Sequence, residues 1–74
     1  MKAILEFNLP DDDSEFTFAT KGSKYYVALW DIDQWLRARI KYDDTVTGEQ
    51  YEAYEKTREE LRDIMSSRGV SFDD

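Results

Sequence analysis

Tyr25, Leu29, Ile32, Leu36 and Ile40 recur at intervals of four, three, four and four residues. At about 100° per residue they fall on one narrow stripe, flanked by Ala28 and Trp35, which predicts a core-facing amphipathic helix over about 23–42. The surrounding stretch, Gly22–Asp44, also holds both tryptophans and three of the five tyrosines. Whatever this chain folds into must be arranged around that helix. Gly22 is placed to end a preceding element and Ser23 to N-cap the helix itself.

A second helix is predicted over about 47–68. Thr47-Gly48-Glu49-Gln50 has capping-box spacing. Beyond it Tyr51, Tyr54, Leu61, Ile64 and Met65 share a face, with Arg58 across it. Glu52 and Lys56 stand four apart as a stabilising helix pair. Gly69 supplies a C-cap and Val70 the apolar contact that follows one, leaving a short tail, 69–74, in which Phe72 can dock.

The amino-terminal part reads differently. In Lys2–Leu9, Ala3, Leu5 and Phe7 alternate with Ile4, Glu6 and Asn8, which predicts a strand over about 2–9, ended by Pro10. A strand needs a ladder partner. The candidates are Glu15–Thr20, the tail Val70–Phe72, or the same strand of a second chain, so a homodimer is one expectation. The segment at about 12–20 can be read two ways. Phe16 and Phe18 alternate like a strand, whereas Asp12 and Glu15 have capping-box spacing and Lys21-Gly22 follows as helix-ending punctuation. The expected class is α+β and mainly helical: an N-terminal strand, a short helix, and two long antiparallel helices in a single domain spanning 1–74.

Seventy-four residues are near the lower limit for a self-sufficient core, and 41% hydrophobic with 15% aromatic residues makes one feasible. There is no cysteine and no histidine. That excludes disulfides, thiol nucleophiles, Cys/His zinc sites and histidine acid–base chemistry. Seventeen acidic against ten basic residues give a net charge of −7, which disfavours direct binding to nucleic acid and suits a basic protein partner. No apolar run approaches the ~20 residues of a membrane span, and the acidic start MKAILEFNLPDDD does not resemble a signal peptide. A soluble cytoplasmic protein without membrane association is expected.

Two constellations stand out as candidate sites. Tyr26, Trp30, Asp33 and Arg37 lie together on the side of the central helix, away from its core stripe. Trp, Tyr and Arg dominate protein-binding hot spots, so these four are protein-interface candidates; the other reading is that this side faces another helix and that Asp33–Arg37 is an ordinary (i, i+4) pair. The second constellation is acidic: Asp11, Asp12, Asp13, Asp43, Asp44, Glu52, Glu55, Glu59 and Asp63. Either these residues are simply solvated or they imitate the phosphate array of a nucleic acid. A metal loop at Asp11–Asp13 would need oxygen ligands spread over about twelve residues with a glycine at the turn, and no glycine follows until Gly22. Asp31 and Asp33 point to different sides of a helix, and no phosphate loop or nucleophile elbow is present. No catalytic residue, metal site or cofactor is therefore expected.

MKAILEFNLPDD, then EF, then GSKYYVALWDIDQWLRARIKY and a Glu-rich helix, resembles a group of small proteins of tailed bacteriophages and prophages. The match covers Met1–Tyr42, and the last helix matches in character. The resemblance implies a phage origin, expression in the bacterial cytoplasm, and an acidic helix at the EF segment, from which Thr17 and Thr20 depart. It carries no catalytic residue. The expected function is a non-enzymatic acidic phage accessory protein that binds a protein partner, such as a host or defence enzyme acting on nucleic acid, and inhibits it as an anti-CRISPR-like protein or DNA mimic does. The alternative is a structural or assembly role in phage replication and recombination.

Overall fold

A computed structural model describes residues 1–73; Asp74, the last residue of the expected tail, lies outside the described residues. Three helices follow one another along the chain: α1 (Asp13–Thr20), α2 (Gly22–Tyr42) and α3 (Gly48–Ser67). α2 and α3 form an antiparallel hairpin across the loop 43–47, and α1 leans on the start of α2.

The described residues contain no strand, so the α+β expectation is corrected to an all-helical fold. The reason is a missing partner. Glu15–Thr20 lies within α1, where its backbone groups bond along the helix, and the tail folds onto α2 through Phe72. Neither candidate offers a ladder, and alternation alone does not make a strand. Residues 1–8 run as an exposed arm, tethered where Phe7 meets Phe16 edge-to-face at 5.6 Å. A turn at 9–12 follows the arm.

Two caps also differ from expectation. Asp12 does not close a capping box on α1; its carboxylate turns back to accept the Asn8 N–H at 2.8 Å. α2 begins at Gly22 with Lys21 as N-cap, so Ser23 lies inside the first turn. α1 and α2 are joined through Lys21, whose carbonyl accepts from both Lys24 and Tyr25 N–H, so the Lys24 donor is met by backbone rather than by a side-chain cap.

α3 is bounded by strong local signals. The Thr47 hydroxyl accepts the Gln50 N–H at 3.2 Å, and the Gln50 side chain accepts the Thr47 N–H at 3.0 Å. At the other end Gly69 has a φ of 72°, its N–H reaches the Ser66 carbonyl at 3.0 Å, and the Val70 N–H reaches that of Met65 at 2.9 Å. This is the Schellman arrangement, which needs a left-handed residue after the helix. Gly69→Ala is expected to cost about 1 kcal/mol by straining that residue, a fall of roughly 4–8 °C in thermal midpoint for a domain this small. Circular dichroism melts would show it, and an unchanged midpoint would contradict the role assigned to the cap.

The core is small. Among the described residues the buried apolar side chains are Leu36 (3% exposed) and Met65 (5%), together with the carboxylate of Asp33 (0%). Of the expected core stripe, Leu36 is buried and Leu29 and Ile40 are partly covered, whereas Tyr25 and Ile32 stay about half exposed. A hairpin of two helices covers only one side of each. The molecule is correspondingly drawn out, 52 × 28 × 20 Å with a radius of gyration of 17.1 Å, against about 11 Å for a compact chain of this length. Among the described residues no helix is long and apolar enough to cross a membrane.

Candidate interaction surface

The hairpin has two open sides of opposite character. On one side Asp33 projects from the middle of α2 toward α3, where Arg58 and Arg62 stand one turn apart. Arg58 donates through Nε to Oδ1 at 3.1 Å and through Nη2 to Oδ2 at 3.3 Å. Arg62 does the same at 3.0 and 2.9 Å. The Gln34 side-chain amide adds a donor to Oδ2 at 3.3 Å. One buried carboxylate thus receives two guanidinium forks, the geometry in which Arg binds carboxylate best. Burial alone would raise the Asp33 pKa, but the hydrogen bonds from Arg62 and Arg58 and their charges outweigh it and lower it. A carboxylate held ionised in this way has little basicity to lend at neutral pH, so it is an organising group rather than a general base.

This overturns the expected Asp33–Arg37 pair. Helix spacing made Arg37 a neighbour, but the two arginines of α3 reach across the hairpin and bind the buried carboxylate of Asp33. Arg37 instead lies over the Tyr42 ring, 5.5 Å from its centroid. Tyr26 and Trp30 are recruited by the tail. The Tyr26 hydroxyl donates to the Phe72 carbonyl at 3.0 Å. The Phe72 ring meets Tyr26 and Trp30 edge-to-face at 5.9 and 5.2 Å. Arg62 stacks on the same ring at 4.9 Å, so the tail clamp and the Asp33 fork share a side chain. Of the four interface candidates, the structure brings Tyr26, Trp30 and Asp33 into one internal network and leaves Arg37 outside it. Trp30 keeps a solvent-facing edge, with 41% of its area exposed.

The expected docking of Phe72 is seen, on Tyr26 and Trp30, whereas sequence reasoning missed Arg58 and Arg62 as the partners of Asp33. A signal existed: two arginines four apart beside an otherwise apolar face need a counter-charge opposite them, and Asp33 lies at the matching level of an antiparallel α2.

The acidic candidates divide by what holds them. Asp12 caps the arm's turn as described. Asp43 accepts from the Thr45 hydroxyl and N–H and pairs with Arg39 at 2.8 Å. The Thr45 hydroxyl, then its N–H, lower the Asp43 pKa, with Arg39 adding to the effect. Asp11, Asp13, Asp44, Glu52, Glu55, Glu59 and Asp63 are exposed. Among the described residues no ion pair engages these seven. Glu55 and Glu59 border an open cleft beside Arg58 and Arg62 that also takes in Ile40, Lys41 and Tyr51. There Glu55 raises the Tyr51 pKa, first by its hydrogen bond and then by its charge. No group of three or more Asp or Glu among the described residues is arranged to hold a metal ion.

No family model matches the chain, and neither a curated protein nor a solved structure shows significant similarity to it.

Proposed function

We propose that this protein is a non-catalytic acidic accessory protein, acting in the cytoplasm of a phage-infected bacterium, that docks on the basic groove of a nucleic-acid enzyme and blocks it. The observation that carries this reading is the outer ridge of α3. Glu52, Glu55, Glu59 and Asp63 project from it at helical spacings of three, four and four, while Arg58 and Arg62 of the same helix bend inward to Asp33. At about 1.5 Å per residue these four carboxylates stand roughly 5.5 Å apart along the axis, against about 3.4 Å per phosphate along one DNA strand. The ridge is thinner than a DNA strand but of the same sign, and Asp11, Asp13 and Asp44 add to the acidic surface.

The test is to retain proteins from a lysate of phage-infected bacteria on the immobilised protein and assay any nucleic-acid enzyme recovered for inhibition. Retention of such an enzyme should fall steeply with salt, yield to competing duplex DNA, and be lost when Glu52, Glu55 and Glu59 are changed to Gln and Asp63 to Asn. Retention indifferent to salt and to those changes would overturn the proposal. Recovery of phage replication proteins alone would replace it with an assembly role.

A further inference from the structure

The side of the hairpin opposite Asp33 is apolar and open. Leu36 forms the floor of a groove walled by Ile32 from α2 and by Ala53, Thr57, Leu61 and Ile64 from α3. Ile32 and Ile64 are about half exposed, at 49% and 53%. The helical period of α2 therefore asks for more burial than one chain provides. Helical hairpins usually meet this requirement by packing against a second pair of helices.

We infer that the groove is the interface of a homodimer, in which two copies join their α2–α3 hairpins about a two-fold axis into a four-helix bundle. Two observations select a second copy as the occupant. The first is area. A chain of 8.8 kDa exposes 6460 Å², whereas a compact monomer of that mass exposes about 4,800 Å². Part of that excess is the extended amino-terminal arm, and part is the apolar surface of the hairpin, where Val27, Ile32, Trp35 and Ile64 are each about half exposed; as a whole it exceeds the roughly 800 Å² per partner that a stable interface needs. The second is self-complementary charge. Lys56 and Glu60 stand one turn apart on the groove rim. A two-fold axis crossing α3 between them runs the two α3 helices antiparallel and sets Lys56 of each copy opposite Glu60 of the other. Ala53 and Thr57 are small enough to let the helices approach closely there. The dimer arises from helical faces and needs no strand.

Sedimentation of the intact protein at hundred-micromolar concentration should give twice the chain mass. Ile64→Glu should give a monomer that keeps its helical circular dichroism. Lys56→Glu and Glu60→Lys should each weaken self-association about tenfold by placing like charges across the axis. Mixed together, those two variants should recover wild-type affinity as a heterodimer, because each then meets its complement. That recovery depends on contacts between chains and is independent of effects within one helix. A monomer at this concentration, a dimer untouched by Ile64→Glu, or failure of the mixture to associate would each overturn the inference.

Discussion

Asp33→Ala is expected to lose about 3 kcal/mol of stability, enough to lower the thermal midpoint by more than ten degrees in a domain this small. The reason is what it leaves behind. Arg58 and Arg62 keep their charges after the carboxylate is gone, next to a space that their counter-ion had filled. Removing one member of a buried ion cluster costs about 3–5 kcal/mol in general. The lower end applies here because the Arg58 and Arg62 side chains are 24% and 47% exposed and can turn toward water. The loss should spread to the tail, since Arg62 also stacks on Phe72. Replacing all three charged residues together, Asp33→Leu with Arg58→Leu and Arg62→Met, should recover most or all of the stability, because desolvating the cluster offsets much of its Coulomb attraction. If the triple variant is no more stable than Asp33→Ala, the cluster contributes net stability of its own and this account fails.

The same carboxylate sets an acid limit. Its pKa is lower in the folded protein than the ordinary value of about 3.9 in the unfolded chain. The stability it contributes is therefore fully present above pH ~4 and is lost as pH falls through the folded pKa. The thermal midpoint should be flat near neutrality and drop below pH ~4, with a shallower drop in Asp33→Asn, where this group no longer titrates.

Features that depend on a few neighbouring residues could be read in the sequence. The Thr47/Gln50 spacing predicts the reciprocal bonds that start α3, and Gly69 predicts the left-handed residue that ends it. Features that depend on what arrives from elsewhere could not. Ala3, Leu5 and Phe7 alternate as a strand does, but a strand is defined by its ladder, and among the described residues no segment comes alongside. Asp33 has Arg37 four residues away and Arg58 and Arg62 twenty-five and twenty-nine away. Spacing along one helix favours the first; burial between two helices selects the others. The same limit explains the stripe of α2. Its period correctly identifies which residues want burial, yet it cannot say whether the same chain or another supplies the cover.

Leu36 is where these questions meet, and Leu36→Ala is expected to cost about 3 kcal/mol. The side chain is one of two buried apolar side chains among the described residues and also the floor of the open groove. In an isolated hairpin, truncation would leave a dent that water can fill, which places the loss near the low end of the 2–5 kcal/mol usual for Leu→Ala. In the dimer the same truncation opens a closed cavity under the facing copy, and the loss grows because the interface loosens with it. The two cases differ in a measurable way. A monomer's midpoint is independent of protein concentration, whereas that of a dimer rises with it. Wild-type protein should melt at a higher temperature as it is concentrated, and Leu36→Ala should melt lower while depending less on concentration. A wild-type midpoint that does not move with concentration would place Leu36 in the hairpin's own core alone and leave the groove without a second copy.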